Sequence, residues 1–92
     1  MKLLSVSNST RKEKKMVAKF DDGSATHFGL KGSSTYLDNK DDAKRSAYLK
    51  RHKANEQWNN PKTAGSLSKH LLWGDTTSLQ ANIKSFKKKF NL

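Results

Sequence analysis

Apolar and polar residues alternate through the first third of the chain, then recur at helical spacing through the rest. From Lys2 to Ser7 the alternation is weak, with Leu4 and Val6 on one face, and predicts a strand. Ser9 to Lys12 is polar and basic and reads as a turn. From Lys14 to Phe20 the pattern sharpens, with Met16, Ala18 and Phe20 sharing a face. Asp21-Asp22-Gly23 separates this run from a second one, Ser24 to Phe28. Asp-Asp-Gly suits a three-residue hairpin loop with its glycine in the left-handed region. Such a loop pairs Phe20 with Ser24 and Met16 with Phe28, which puts Phe28 on the apolar face. A two-residue loop would set Phe28 opposite Val17, on the other face, because one slip of register inverts every side chain. The longer loop is therefore expected.

Gly29 to Lys40 is read as a loop. Asp41-Asp42 starts a helix, since carboxylates cap and favour the positive helix end. That helix runs to about Asn55 with a thin apolar face of Ala43, Ala47, Tyr48 and Ala54. Trp58-Asn59-Asn60-Pro61 ends it, because the residue before proline is pushed out of helical geometry. Thr63 caps a short helix over Ala64 to Trp73, with Leu67 and Leu71 on one side and Gly74 in the place of a C-terminal glycine. Thr77-Ser78-Leu79-Gln80 reads as a capping box. Leu79, Ile83, Phe86 and Phe90 then form the best amphipathic stripe in the chain. The expected fold is α+β: a small antiparallel two- or three-stranded meander followed by three short helices. It forms a single small basic domain over 1–92, β-rich over 1–30 and helical over 41–92. The last helix is expected to lay its stripe on the face of Met16, Ala18 and Phe20.

Only 33% of the 92 residues are hydrophobic, so the core is small. The charge changes the picture most: 19 Lys and Arg against 8 Asp and Glu give a formal net charge of +11. Such a chain is drawn to polyanions, because each neutralised phosphate releases a condensed counterion. With no cysteine there is neither thiolate chemistry nor a cysteine zinc site. Met1-Lys2-Leu3-Leu4 opens like a signal sequence, but Ser5, Ser7 and Asn8 break the apolar run, and no stretch approaches the roughly 20 residues of a membrane span. No membrane partner is therefore expected. Catalytic parts are missing as well. His27, His52 and His70 fall on separate elements, and neither a phosphate-binding G-x-x-x-x-G-K-[ST] loop nor a G-x-S-x-G elbow occurs. The acids Asp21, Asp22, Asp38, Asp41 and Asp42 sit at turns and caps. A non-enzymatic binding protein with no catalytic residue, metal or cofactor is expected.

Three basic clusters are candidates for contact with an acidic partner: Arg11, Lys12, Lys14 and Lys15; Lys44, Arg45, Lys50, Arg51 and Lys53; and the run from Lys84 that contains Lys87, Lys88 and Lys89. Converged on one face they would track phosphates; spread out they would bind diffusely. Gly29-Leu30-Lys31-Gly32 adds Lys31 as a candidate, since a G-x-x-G loop brings backbone N–H groups close to phosphates, although it equally suits a plain exit from the hairpin. Trp58, in a polar loop, is a candidate for aromatic contact with a base, whereas Trp73 ends an apolar run and suits packing.

One ordered series of short motifs spans Thr26 to Trp73: Thr26-His27-Phe28-Gly29, Lys31-Gly32, Tyr36, Asp38 to Asp41, Tyr48, Arg51-His52, Asn55-Glu56, Trp58, Pro61, Thr63-Ala64-Gly65, Ser68 and Leu71-Leu72-Trp73. It resembles a family of short uncharacterised proteins encoded by large double-stranded DNA viruses of algae and protists. Two departures stand out. Thr35 occupies a position that tends to be Asp in that family, and Ser66-Leu67 replaces bulky aromatics. The resemblance implies a viral product located in the virion, and in the host cytoplasm or nucleus before assembly. Its acidic partner would be viral DNA or the acidic inner face of a capsid protein, which a minor capsid or cement protein would line. The alternatives are an intracellular nucleic-acid-binding regulator and a small hydrolase with an unrecognised site.

Overall fold

In a computed structural model of the chain, the described residues are 2–32, 34–53 and 58–92. Three antiparallel strands form a meander in the order β1-β2-β3: β1 is Leu3–Asn8, β2 is Lys14–Phe20 and β3 is Ala25–Leu30. The hairpin takes the expected register, with Met16 opposite Phe28 and the Phe20 N–H donating to the Ser24 carbonyl at 3.0 Å. Gly23 holds the loop at φ +87°, where a Cβ would be strained. The Asp22 carboxylate accepts from both the backbone N–H and the hydroxyl of Ser24. Its hydrogen bond with Lys62 does most to hold it well below the usual carboxylate range. In β1 the faces differ from expectation. The ladder shifts between Leu3 and Ser5, so Leu4 is 64% exposed while Leu3 and Val6 turn to the core. An unpaired bulge residue exchanges the faces on either side of it.

The connection read as loop contains one helical turn, α1 (Tyr36–Asn39). Asp38 accepts from the Thr35 N–H at 2.7 Å and from its hydroxyl at 3.1 Å. Thr35 therefore stands at an N-terminal cap, a position Asp also fills well. Helix α2 (Asp42–His52) starts as expected, with Asp41 capping the Lys44 N–H, and ends before the expected limit. Ala54, Asn55 and Glu56 lie outside the described residues. Thr63 caps α3 (Ala64–Leu67), which continues as a π-helical turn over Ser68–Leu72, with the Trp73 N–H reaching the Ser68 carbonyl at 3.0 Å. Helix α4 (Leu79–Phe90) is capped by Ser78 through the Ala81 N–H. That cap stands one residue later than expected and Ala81 cannot return a bond, so there is no capping box.

The core joins Leu3, Met16, Ala18, Phe20 and Phe28 of the sheet to Leu67, Leu71, Leu72 and Phe86. Helix α4 packs mainly on the 64–72 helix, and that helix lies on β3. This corrects the expectation that α4 covers the sheet face directly: Leu67, Leu71 and Leu72 are all but fully buried, while Leu79, Ile83 and Phe90 remain half-buried. Gly74 is also not the left-handed helix end that its position suggests. A Cβ there would run into the His70 carbonyl oxygen and meet Asn82 Cγ at 2.8 Å, so glycine is required for close approach. Asn82, only 3% exposed, stitches this joint: Nδ2 donates to the Leu71 and Thr76 carbonyls, both at 3.0 Å, and Oδ1 accepts from the Thr76 hydroxyl at 2.8 Å.

Candidate functional site

One face of α2 carries Lys44, Ala47, Tyr48, Arg51 and His52, which helical spacing stacks one above another. Beside it lie the end of β3 at Gly29 and Leu30, and Lys14, which is paired with Leu30 across the ladder. Ala64, Gly65, Ser68 and Leu72 of the 64–72 helix also line it, together with Trp73, Ser34 and Thr35. These groups enclose a groove of about 630 Å3. Its aromatic wall is a stack: the Trp73 ring lies 4.6 Å from Tyr48 at 7° between planes, and the His52 ring lies 4.3 Å from Tyr48 at 28°. Tyr48 is buried by these contacts, while Trp73 and His52 stay half-buried. No Asp or Glu lines the groove among the described residues, and none forms an ion pair with Lys14, Lys44 or Arg51 there. The arrangement sets Lys14, Lys44 and Arg51 beside a column of three rings stacked on one another, which suits an anionic ligand.

The three basic clusters are only partly united. Lys14 of the first and Lys44 and Arg51 of the second meet at the groove. Arg11 and Lys12 stay exposed on the β1–β2 turn, and Lys50 and Lys53 on the outer side and end of α2. Lys15 lies 3.5 Å from the Asp38 carboxylate. Arg45 serves the fold: its Nε donates to the Trp73 and Gly74 carbonyls at 3.1 and 3.0 Å, and Nη2 pairs with Asp75 at 2.9 Å. Its guanidinium also stands over the Tyr36 ring at 5.4 Å. Lys31 turns out of the hairpin, its N–H donating to the Glu13 carbonyl at 3.0 Å; that N–H extends the sheet edge rather than a phosphate loop. Lys87, Lys88 and Lys89 are exposed on the last turn of α4, where they complement the negative helix end.

Lys89 borders a second cleft of about 250 Å3 with Lys69, His70 and Ser85. Burial, with help from the nearby Lys89, pushes the Lys69 ammonium below its ordinary pKa. Trp58 is outside the groove. Its carbonyl accepts from the Ser66 hydroxyl at 3.0 Å and lies 3.2 Å from His70 Nε2, and the Lys69 ammonium stands 5.2 Å from the centre of its ring. Ser66, one of the two departures from the aromatic pattern, thus spends its hydroxyl on anchoring the Trp58 backbone. His27 bonds through Nδ1 to the Ser9 hydroxyl at 2.6 Å; burial and then Arg11, Lys14 and Lys19 lower its pKa. Among the described residues no three His, Asp or Glu side chains gather as metal ligands, and no helix is long and apolar enough to cross a membrane. The aromatic wall is the part of the site that sequence reading missed. Tyr48 and His52 are one helical turn apart and hint at a pair, but nothing local couples either to Trp73.

Fold and groove together define a small basic α+β protein with a cationic, aromatic-walled cleft. The chain belongs to a family of unknown function (DUF5754), which matches residues 4–52. That stretch takes in the sheet, α1 and α2, and with them Lys14, Lys44, Tyr48, Arg51 and His52; the 64–72 helix, Trp73 and α4 lie beyond it. No curated protein and no solved structure matches the chain.

Proposed function

We propose that this chain is a non-enzymatic structural protein of a large DNA virus that binds the packaged nucleic acid through the groove between α2 and the end of β3. The observation that carries the binding reading is the convergence of Lys14, Lys44 and Arg51 on one cleft with no carboxylate among its described lining residues. Cations brought together at a cost in mutual repulsion are offset when phosphates neutralise them. Arg11, Lys12, Lys50, Lys53, Lys87 and Lys88 add a long-range field around that cleft without belonging to it. The viral setting is supported by the resemblance of the Thr26–Trp73 motif series. Detection of the chain in purified particles tests it, and a chain confined to the infected cell would favour the regulator.

The binding reading is tested by titrating labelled duplex DNA and single-stranded RNA at two salt concentrations. Affinity should collapse as salt rises, with a log–log slope of about −2 to −3 for three phosphates. The double substitution of Lys44→Glu and Arg51→Glu should lower affinity more than the same reversal at Lys87 and Lys88. Weak binding of every nucleic acid at low salt would sink the reading and turn attention to the acidic face of a capsid protein.

A further inference from the structure

We infer that the second cleft is a site for a compact oxyanion, a phosphate group carrying two charges, held by Lys69, Lys89 and Ser85 and separate from the groove. The other polar side chains that line it are already committed. Arg45 pairs through Nη2 with Asp75 at 2.9 Å, so the one carboxylate among the described lining residues is neutralised by its own partner. Asn82 spends its amide on Leu71 and Thr76, and His70 Nε2 lies 3.2 Å from the Trp58 carbonyl. Two ammoniums and a hydroxyl remain. Among the described residues neither ammonium has a carboxylate partner, and the Ser85 hydroxyl has no hydrogen bond. Ser85 and Lys89 lie one helical turn apart on α4, so they stand side by side. Lys69 is half-buried beneath the Trp58 ring, which fixes its ammonium 5.2 Å from the ring centre. Burial and then Lys89 depress the Lys69 pKa, the mark of two like charges gathered in one cleft. An anion that neutralises both relieves that repulsion. A terminal phosphate carries about −1.5 to −2 charges at pH 7, which matches the pair better than the single charge of a phosphodiester. The volume, about 250 Å3, falls short of the roughly 300–1,000 Å3 of small-molecule pockets and suits the phosphate group rather than whatever bears it. Free phosphate and the phosphorylated end of a strand offer the same chemistry.

The test titrates the full 15N-labelled chain with inorganic phosphate at constant ionic strength, with sodium chloride as the blank. The amide signals of Lys69, Ser85 and Lys89 should move and saturate at lower phosphate than any shift at Gly29 and Leu30 in the groove. Lys69→Met and Lys89→Met should each weaken binding about tenfold through the lost charged hydrogen bond. Lys84→Met removes the same charge from an exposed position of α4 outside the cleft and should change affinity less than twofold. Lys89 is exposed, so its variant keeps the parent Tm and the test stands even where Lys69→Met unfolds. A 5′-phosphorylated trinucleotide that moves the same signals more tightly than phosphate, while its unphosphorylated twin does not, assigns the site to a strand end; equal affinity for phosphate and the phosphorylated strand assigns it to the free anion. No saturable shift beyond the chloride blank, tighter binding at the groove, or an equal loss in Lys84→Met would overturn the inference. Inorganic phosphate reads the cleft without any strand, so this result and the failure of nucleic acid to bind the groove are independent.

Discussion

Asn82→Ala removes the amide that stitches α4 to the end of the 64–72 helix, and its cost can be worked from the contacts. The Thr76 half of the network lies at an exposed loop, so water replaces much of what is lost there. The Leu71 half does not recover. Leu71 is fully buried, and its carbonyl accepts the Asn82 Nδ2 donor at 3.0 Å in a place alanine cannot reach. A buried acceptor left unpaired costs about 1–3 kcal/mol, and the lost loop contacts add about 1 kcal/mol more. A total near 3 kcal/mol is a large share of the roughly 5–14 kcal/mol that a chain of this size holds. Urea denaturation followed by circular dichroism should show a lower midpoint at unchanged m-value, and Tm should fall by about 12–24 °C. Ser85→Ala, on the exposed side of α4, serves as the control and should stay within about 0.5 kcal/mol of the parent. A loss under about 1 kcal/mol for Asn82→Ala would refute the claim that this amide satisfies an otherwise orphaned carbonyl.

Gly23→Ala should cost about 1 kcal/mol or more, because its φ of +87° is strained for a Cβ although no atom stands within 4 Å of one. Gly23→Asn should cost less, and equal losses for the two would point to a steric cause instead. Arg45→Ala should lower stability by about 1–3 kcal/mol through the unpaired Trp73 and Gly74 carbonyls, and Arg45→Lys should recover only part of it, since one ammonium cannot reproduce the planar fork. Full stability in Arg45→Ala would return that residue to the set of cations free for a partner. Burial lowers the His70 pKa, so the folded chain binds fewer protons there than the unfolded one. Stability is therefore complete above about pH 6.5 and declines as pH drops through the lowered folded value. Thermal melts at stepped pH should show that decline and a shallower one in His70→Gln, with a residue left by His27, whose pKa is lowered as well; parallel slopes in parent and variant would refute it.

Local chemistry was enough for most of the elements. A period of two with Asp-Asp-Gly dictated the hairpin register, because only one loop length keeps Phe28 beside Met16. Asp41 and Thr63 announced their helices, since their side chains bond to N–H groups only three residues away. The errors fall where a distant partner outvotes the local pattern. Leu4 continues an alternation that the bulge interrupts, and nothing in its neighbours marks it. Gly74 looks like a helix stop and is instead a contact with Asn82.

The site divides in the same way. The sequence by itself determined a basic chain, the cationic face of α2 and the turn-capping role of its acids, because charge and helical spacing are properties of neighbours along the chain. Only the tertiary structure decided that Lys14 joins Lys44 and Arg51, that Arg45 is spent on the fold, and that Trp73 completes a wall with Tyr48. Those outcomes depend on how the 64–72 helix lies on β3 and where its π-turn delivers Trp73. That placement comes from packing Leu67, Leu71 and Leu72 against the sheet, a balance of many small apolar contacts that no local pattern encodes.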